Sequence, residues 1–508
     1  MKLSRFWLLF AACSLAWLIL SVELAPNMSA VDVFYFRDAG WNLAASGHFE
    51  SAALARSHDL APRLYSHYTP MMPLLFAGYA AVFPRNAYAG TIFNLLLGLG
   101  AAAIALYWVL RQPGGKLRTV VALAIAALPV VFITYDRPEA LGLIFAAIAI
   151  GVAAIPRPRP FAGGLLVALT FLAHPFAAVI AAVWIACLYL AYNWDKSGGR
   201  AVTLRQVAIT GVMALVALTP VALLFYLLDP TSLQRFATNA FVVNSDIGLT
   251  TRSNSAGNFV HNHLHLNTGP LQTTIYFLSL ASILLLAVWT VARRRDLRVA
   301  EWMPIAAGVL SMLCAVTLFP GHPHYVRFLA FLIPLALLIA NSSSGRLAAP
   351  AFALLLFAMV VNLPNLAIDL LQRIEQIPSF RTAQSQPSML LSQMPDPNGI
   401  VVLNGDSYDL FKPKFRRLIE LAHVEDQEHY AKVAAVANCY DAFHGPDNAV
   451  RPLPAKLDAS EFHLIEAAPT HMWLTLFGHR LMRAQWGYGC DLYLRNSPAQ
   501  PKEPAPLR

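Results

Sequence analysis

The stretch FWLLFAACSLAWLILSVELA, residues 6–25, decides the class of this protein. It contains one charged residue, Glu23, and it follows the cations Lys2 and Arg5. A run of about 20 apolar residues is the length that an α-helix needs to cross a bilayer. No A-x-A cleavage site follows the run, so we predict an uncleaved membrane-spanning helix rather than a signal peptide.

The composition of the whole chain also indicates a membrane protein. Of its 508 residues, 57% are hydrophobic and only 13% are charged, whereas soluble proteins carry about 25% charged residues. The mean hydropathy is +0.52. A water-soluble fold could not bury this much apolar surface, and the chain is too hydrophobic to be disordered.

Further apolar runs predict an all-α polytopic bundle of about 11 membrane-spanning helices. The stretch 71–83 is apolar but too short to span, and we place it at the outer interface or in a re-entrant segment. His174-Pro175 is expected to mark a kink or a break between two helices. The additional runs lie near 87–110, 119–135, 138–155, 161–173, 176–192, 203–228, 271–291, 300–318, 325–341 and 349–365.

The distribution of basic residues predicts the orientation. Residues 1–365 have a net charge of +11 and residues 366–508 a net charge of −2, so the overall +9 belongs to the membrane region. With a cytoplasmic N-terminus, the short inner segments contain 15 Lys and Arg, and the much longer outer loops contain eight. This bias follows the positive-inside rule, and we do not interpret it as nucleic-acid binding. The odd helix count then places the C-terminal region outside the cytoplasm. We expect a bacterial inner membrane, with this region in the periplasm.

The domain organisation follows from these patterns. Residues 1–365 are predicted to form a transmembrane domain with long outer loops at 26–86 and about 229–270. Residues 366–496 are predicted to form a small soluble α/β domain, and the Pro-rich tail 497–508 to be disordered. Strands of the α/β domain are predicted at Gly399–Asp406, Phe462–Ala467 and Cys490–Arg495, with a helical stretch around Phe415–Ala422.

Cys439 and Cys490 are the two cysteines of the predicted outer domain. In an oxidising compartment, their simplest interpretation is a disulfide. The other three cysteines fall in apolar runs and are expected to be packing residues. No tetrahedral zinc spacing is present, so no metal site is predicted from cysteine.

Asp32 is a candidate for chemistry because acidic residues are scarce before residue 366. It lies in SAVDVFYFRDAGWNLAASGHF, shortly after the first helix. On a helix over Val31–Ser46, Asp32 would share a face with Tyr35, whereas Asp38 would point elsewhere. Two interpretations are open: a cap or solvated loop charge, or a carboxylate at the membrane surface that acts as a general base.

Asp136, in TYDRPEALGL, separates two apolar runs. Asp136 suits an N-cap, Pro138 suits the first turn, and Glu139 would complete a capping box. The pattern favours a structural role, which is compatible with a functional one.

The histidines and Arg327 give further candidates. His261, His263 and His265 alternate in an outer loop and do not converge easily on one metal ion, so we expect a polar loop or substrate contacts. Arg327 follows His324 at the outer mouth of a helix. Its guanidinium could bind a phosphate in a bidentate manner or extend to lipid headgroups.

Several function classes lack their sequence signals. There is no Walker A, GxSxG or HExxH sequence. Charged residues are almost missing from the predicted spans, which argues against an ion-coupled transporter.

The motifs resemble the GT-C superfamily of integral-membrane glycosyltransferases, especially the protein O-mannosyltransferase and bacterial lipid A aminoarabinose transferase branch. The resemblance covers about residues 1–345. It rests on Asp32 after the first helix, on NLAASGHF (42–49) and LYSHYTPMMPLL (64–75), on Asp136, and on HPHYVRFLAFLIPLALL (322–338).

The resemblance implies an inverting transfer of a sugar from a polyprenyl-phosphate carrier to an acceptor hydroxyl at the outer face. The acceptor would be a glycolipid, a glycan or a protein. Asp32 would match the catalytic carboxylate and Asp136 the second acidic position. No nucleotide or other cofactor is required, and a divalent metal is a weaker expectation because Val33 stands where the family often has Glu.

The chain also departs from the aminoarabinose branch, in which Glu-Lys-Pro stands where this sequence has His67-Tyr68-Thr69-Pro70. The Lys expected at the donor phosphate is therefore missing. Candidates for phosphate binding in its place are Arg63, His67, Arg327 and His324, and candidates for substrate contacts are Tyr35, Tyr68, His261 and His263.

Two other functions remain open. A flippase or transporter of lipid-linked glycans would place charged residues inside its helices and would not depend on Asp32. An oligosaccharide ligase of the O-antigen type would use Arg and His of a large outer loop, such as Arg252, His261 and His263 within 229–270.

The predicted orientation can be tested by cysteine labelling. In a chain whose three unpaired cysteines are replaced by Ala, Asp32→Cys should react with a membrane-impermeant maleimide added to intact spheroplasts, because residue 32 is expected outside the cytoplasm. Ser344→Cys, in a predicted inner loop, is the matched control and should react only after lysis. Labelling of residue 32 only after lysis would contradict the orientation and the role of Asp32 together.

Overall fold

A computed structural model of the chain describes the residues that are discussed below. They are residues 3–26, 36–51, 63–66, 68–113, 115–133, 137–155, 158–237, 299–318, 323–340, 347–404, 407–420, 432–439, 457–467, 473–483 and 487–496, with parts of 278–292 and residue 453.

The chain divides into two compact units that are each built from separate stretches of sequence. The first unit comprises residues 1–20, 64–75 and 93–367, and the second comprises 21–63, 76–92 and 368–508. The second unit thus combines part of the predicted first outer loop with the C-terminal region.

Apolar helices dominate the chain up to residue 375, as the hydrophobic runs predicted. The long helix that the run 271–291 predicts falls largely outside the described residues. The helices are α1 (Leu3–Glu23), α2 (Asp38–Ser46), α3 (Met71–Val82), α4 (Ala89–Arg111), α5 (Lys116–Ala127), α6 (Glu139–Ala153), α7 (Pro160–Ala173), α8 (Pro175–Asn193), α9 (Gly199–Leu228), α10 (Ser232–Ala237), α11 (Val299–Leu318), α12 (Pro323–Ala340) and α13 (Ala348–Glu375).

Five of the described helices are long and apolar enough to cross a bilayer: α1, α4, α8, α9 and α13. Five further apolar segments, within α3, α6, α7, α11 and α12, are shorter than 18 residues. These helices are those of a membrane protein, whereas the count of 11 spans stays a prediction. The stretch 71–83, predicted to be too short to span, forms the 12-residue helix α3.

Small residues let the helices of the first unit pack closely. In α6, Ala146, Ala147 and Ala149 are fully buried, and α6 contacts α7, α8 and α12. In lipid, such small side chains let backbones approach without a hydrophobic driving force, and hydrogen bonds between helices add to the association.

Hydrogen bonds also connect helices that are far apart in sequence. Trp184 Nε1 of α8 donates to Ser311 Oγ of α11 at 3.1 Å. At the end of α4, Gln112 Nε2 donates to the Leu338 carbonyl of α12 at 2.8 Å.

The predicted break at His174-Pro175 is confirmed. Helix α7 ends at Ala173, and α8 begins at Pro175. His174 is the N-cap of α8, and its Nδ1 accepts a hydrogen bond from the Ala177 N–H at 3.3 Å. Proline at the first helical position suits this arrangement because its missing N–H would have no partner there.

The predicted capping box of α6 is wrong. The helix begins at Glu139 with Pro138 in the N-cap position, so Glu139 is the first helical residue and not the third. Its carboxylate instead accepts a hydrogen bond from Arg137 Nε at 2.7 Å. Asp136 itself lies outside the described residues.

The C-terminal region forms the α/β structure that the sequence predicted. Strands β4, β3 and β5 are parallel, β9 is antiparallel to β5 and β6, and the order across the sheet is β4-β3-β5-β9-β6. The strands of the described chain are β1 (Glu50–Ser51), β2 (Arg63–Leu64), β3 (Ile400–Asn404), β4 (Leu418–Glu420), β5 (Val433–Cys439), β6 (Phe462–Glu466), β7 (Trp473–Leu476), β8 (His479–Arg483) and β9 (Cys490–Arg495). Short helices α14 (Ile377–Ala383), α15 (Gln386–Gln393) and α16 (Tyr408–Phe411) lie beside them in sequence.

The predictions for β3, β6 and β9 are confirmed, but the helical stretch around Phe415–Ala422 is wrong. Residues Leu418–Glu420 form strand β4, and Leu418 and Ile419 are fully buried. A short apolar run does not distinguish a buried strand from a helical turn, and here pairing with β3 decides the outcome.

Cys439 and Cys490 face each other across β5 and β9. Their sulfur atoms are bonded at 2.04 Å, and the bond closes a sequence separation of 51 residues. The disulfide therefore joins two neighbouring strands at the centre of the sheet.

Candidate functional site

The first unit contains a group of polar and aromatic side chains at helix ends, which we call the helix-end cluster. Tyr68 precedes α3, Arg137 and Glu139 stand at the start of α6, and His174 separates α7 from α8. The cluster consists of Tyr68, Arg137, Glu139, His174, Tyr325 and Arg327.

Tyr68 occupies the middle of the helix-end cluster. Its side chain is buried, its hydroxyl is hydrogen-bonded to that of Tyr325, and its ring meets the His174 ring edge-on with centroids 6.2 Å apart. Burial, reinforced by Tyr325 and Glu139, raises the pKa of Tyr68 well above its usual value, although Arg137 acts in the opposite direction. The hydroxyl is therefore protonated at neutral pH and can donate a hydrogen bond.

His174 lies among aromatic rings. It is 1% exposed, stacks on Phe328 with centroids 5.8 Å apart, and meets the Tyr325 ring edge-on at 5.4 Å. These contacts fix the orientation of the imidazole ring next to Tyr68 and Tyr325.

Arg137 and Glu139 form an ion pair of 2.7 Å in which the carboxylate is almost completely buried. A buried carboxylate requires such a partner because desolvation would otherwise exclude its charged form. The pair fixes Arg137 close enough to Tyr68 to influence its ionisation.

Arg327 of α12 hydrogen-bonds to the 3-10 helix Pro129–Phe132, which precedes α6, and to the residue after it. Its Nη2 lies 3.0 Å from the Ile133 carbonyl oxygen and 3.4 Å from that of Val131. With Glu139 it lines a pocket whose other walls are apolar and whose empty volume is about 280 Å³, including the part that opens to the surface. Arg327 and Glu139 thus bring opposite charges to one small cavity in the first unit.

A second cavity in the first unit is an apolar groove that Tyr68 helps to line. It has an empty volume of about 480 Å³, including the part that opens to the surface. Helix α9 provides one wall, and α7 and α10 provide others. The lining residues are Ser66, Tyr68, Thr69, Pro70, Phe171, Leu172, Leu218, Val221, Ala222, Phe225, Leu233 and Phe236.

An ion pair lies beside Ser66, a polar residue that lines this groove. Arg235 donates from Nε to Ser66 Oγ at 3.0 Å and pairs with Asp229 at 2.5 Å. Burial alone would raise the pKa of Asp229, but hydrogen bonds from Arg235 and Thr231 outweigh it and lower the pKa. The carboxylate is therefore charged at neutral pH, and Arg235 stays beside the groove.

The second unit has its own buried group, the four-charge cluster, formed by Arg37, Asp38, Asp409 and Lys412. Arg37 Nη2 pairs with Asp409 Oδ2 at 2.8 Å, and Lys412 Nζ pairs with Asp38 Oδ1 at 2.7 Å. Arg37 and Asp38 are completely buried. The charges sum to zero, which is the condition for burying them together.

Hydroxyl groups complete the coordination of Asp38. Tyr408 donates to Asp38 Oδ1, and Ser51 Oγ donates to Oδ2 at 2.6 Å. Burial, together with the adjacent Asp38 carboxylate, raises the pKa of Tyr408 well above its usual range, so the phenol remains a donor. The carboxylate of Asp38 is fully engaged in the interior, and this arrangement favours a structural role over proton transfer.

Gly90, at the start of α4, leaves room for the Arg37 guanidinium. A Cβ atom at position 90 would overlap Arg37 Nη1 and the Asp409 carboxylate. The guanidinium also lies over the Phe76 ring, 5.5 Å from its centroid. Only glycine allows the backbone of α4 to approach the ion pair this closely.

Most residues that the sequence nominated for the site lie outside the described residues: Asp32, Tyr35, His67, Asp136, His261 and His263. For Arg63 in β2 and His324 in α12, the backbone is described but the side chain is not. Tyr68 and Arg327 both belong to the helix-end cluster, and Cys439 and Cys490 belong to the sheet.

Sequence reasoning did not find the four-charge cluster or the place of His174 in the helix-end cluster. The signal available for the former was the adjacent Arg37-Asp38 pair in an acid-poor stretch. Within the described part of the chain, no group of three or more His, Cys, Asp or Glu side chains is arranged to hold a metal ion.

The fold and these clusters define a polytopic membrane protein with a small α/β region. No protein-family profile matches the chain, and no curated protein sequence matches it. Among solved structures, the oligosaccharyltransferase of Archaeoglobus fulgidus in its apo form is similar over 85% of this chain and 69% of its own, with a TM-score of 0.39 and 11% sequence identity. A likeness at this score carries no further conclusion.

The four-charge cluster predicts a strong effect of removing one charge. Lys412→Met should lower the free energy of unfolding by about 3 kcal/mol, because Asp38 would lose its cation while staying buried. Urea unfolding of the full-length protein in detergent measures this loss. The double variant D38N/K412M removes both charges and should be more stable than the single variant. A single variant as stable as the unsubstituted protein would show that the pair is not required.

Proposed function

We propose that this protein is a membrane glycosyltransferase that transfers a sugar from a polyprenyl-phosphate carrier to an acceptor hydroxyl, at the outer face of the membrane and with inversion. The observation that carries the proposal is the apolar groove that Tyr68 helps to line, since Tyr68 also belongs to the helix-end cluster. One residue thus belongs both to the apolar groove and to the polar, cationic helix-end cluster.

The groove suits an isoprenoid chain. Its walls present Phe171, Val221 and Phe225, and apolar side chains are the partners that a branched hydrocarbon chain prefers. The neighbouring outer surface of α9 is exposed and apolar, as at Leu224 and Leu227. A carrier could therefore enter from the lipid phase without crossing water.

The helix-end cluster suits the phosphate end of such a carrier. The hydrogen-bonded hydroxyl groups of Tyr68 and Tyr325 are polar, and Arg137 and Arg327 supply positive charge. Charge-assisted hydrogen bonds from guanidinium groups are the strong contacts of phosphate recognition. This cluster would replace the Lys that the resembling family uses and that this chain lacks.

The reaction requires a general base, and the carboxylates of Asp38 and Glu139 are already held in ion pairs. Asp38 is engaged in the four-charge cluster, and Glu139 is paired with Arg137. Asp32, located a few residues after the first helix, is the proposed base. It would remove the proton of the acceptor hydroxyl as the oxygen attacks the anomeric carbon.

The electron balance of this step is simple. The new bond joins the acceptor oxygen to the anomeric carbon, and the bond from that carbon to the phosphate oxygen breaks. The electron pair leaves with polyprenyl phosphate, whose growing negative charge the cations of the helix-end cluster would stabilise. Attack from the face opposite the phosphate inverts the anomeric configuration.

The role of Asp32 is tested by Asp32→Asn, which should reduce kcat for sugar transfer by about 100- to 10,000-fold, the contribution that a general base makes. Transfer is measured with the protein in nanodiscs and a radiolabelled polyprenyl-phosphate sugar. Asp59→Asn, in the same predicted outer loop, is the control and should retain activity. Full activity of Asp32→Asn would rule out the base assignment.

The role of the groove is tested by Ala222→Phe, which should raise KM for a long-chain polyprenyl-phosphate sugar by about tenfold because the added ring fills the channel. A short-chain analogue should be affected much less. Leu204→Phe, at an exposed position 14 residues before the first groove residue of the same helix, is the matched control and should leave KM unchanged. An equal effect of both variants, or of both chain lengths, would contradict the assignment of the groove.

A further inference from the structure

The hairpin of β7 and β8 carries an unusual residue at its tip. Phe477 and Gly478 connect the two strands, and both have positive φ angles, 51° and 79°. Tight hairpin turns of this kind favour Asn, Asp or Gly at such positions, and a bulky residue there is strained. The Phe477 side chain is nevertheless 92% exposed. The backbone at Phe477 is strained and its ring is solvated, so a smaller residue would serve the fold equally well.

Two further apolar side chains accompany Phe477. Leu476 is 38% exposed and Leu481 is 54% exposed. By contrast, strands β3, β4, β5 and β9 of the five-stranded sheet bury their large apolar residues, among them Leu403 and Leu492. The hairpin therefore presents a small apolar patch at its tip.

The charges of the hairpin have one sign. Residues 473–483 contain Arg480, Arg483 and His479 but no Asp or Glu, although residues 366–508 as a whole have a net charge of −2. The Arg480 guanidinium lies over the Trp473 ring, 5.2 Å from its centroid. Apolar tips flanked by Trp and Arg are typical of segments that lie in the interface of a bilayer.

A hydrogen bond fixes the hairpin next to a membrane-spanning helix. Thr475 Oγ1 donates to Glu375 Oε1 at 2.5 Å, and Glu375 is the last residue of α13, which is long and apolar enough to cross a bilayer. The final ten residues of α13 extend about 15 Å at 1.5 Å per residue. Phe477 is two residues from Thr475, about 7 Å along the strand, so the tip lies near the end of α13.

We propose that the β7–β8 hairpin is a membrane-docking element whose tip, Phe477 with Leu476 and Leu481, inserts into the bilayer interface on the side of the α/β region. His479 and Arg480 contact the phosphates of anionic phospholipids beside it. The occupant of this surface is lipid rather than an acceptor protein, because the patch is small, basic and tied to the end of a spanning helix. This inference does not rest on the proposed enzymatic function.

The experiment places an environment-sensitive fluorophore beside the tip of the full-length protein. The unpaired cysteines Cys13, Cys187 and Cys314 are replaced by Ala, and Leu481→Cys is labelled with a nitrobenzoxadiazole dye that leaves Phe477 intact. The protein is reconstituted in nanodiscs of phosphatidylglycerol or of phosphatidylcholine. Lipids with a doxyl group on the acyl chain quench a dye inserted in the bilayer, and iodide quenches a dye in water. Ala459→Cys, at an exposed turn of the same unit, is the matched control site.

The dye at residue 481 should be quenched by doxyl lipid and shielded from iodide, whereas the dye at residue 459 should show the reverse. Phe477→Asp should reduce the doxyl quenching at residue 481 by about twofold or more, and Phe477→Leu should preserve it. Quenching should be stronger in phosphatidylglycerol than in phosphatidylcholine.

Three results would overturn the proposal. The first is iodide quenching at residue 481 equal to that at residue 459. The second is protection of residue 481 from both quenchers, which would identify a protein contact. The third is equal doxyl quenching in the two lipids, which would contradict the proposed contact of His479 and Arg480 with anionic headgroups.

Discussion

The second unit depends on two ion pairs that are buried side by side. Arg37 and Asp38 are neighbours in sequence, but they pair with Asp409 and Lys412, about 370 residues further along the chain. Each charge would be costly to bury alone, and the four are tolerable together because their sum is zero and the hydroxyl groups of Ser51 and Tyr408 donate to the Asp38 carboxylate. The segment that follows the first helix and the C-terminal region therefore fold as one unit. Neither can leave without stranding charges of the other in an apolar interior.

The first unit separates polar from apolar surface in a different way. Its helices are apolar along most of their length, and the buried ionisable residues Glu139, His174 and Glu301 lie where helices begin. This follows from the bilayer, in which a charge is tolerated near a helix end or beside a partner but rarely at mid-depth. Tyr68 belongs to both environments, since its side chain lines the apolar groove and its hydroxyl is hydrogen-bonded within the helix-end cluster.

The sequence predicts the features that hydrophobic periodicity controls and misses those that depend on distant partners. Helices such as α9 and strands such as β9 follow from local apolar patterns. Strand β4 does not, because three apolar residues have no distinct period and only pairing with β3 makes them a strand. The burial of Asp38 was equally inaccessible, since its cation lies in another part of the chain. Asp32 and Asp136 stay predictions, and only Tyr68 and Arg327 of the nominated membrane-domain residues have described side chains.

The close approach at Gly90 has a consequence for how this chain can change over evolutionary time. A methyl group at position 90 and a guanidinium at position 37 compete for the same volume. A larger residue at 90 becomes acceptable only when residue 37 is shorter, and a shorter, uncharged residue 37 would leave Asp409 in need of another cation. Positions 37, 90 and 409 are thus expected to vary as a coupled set among homologous sequences.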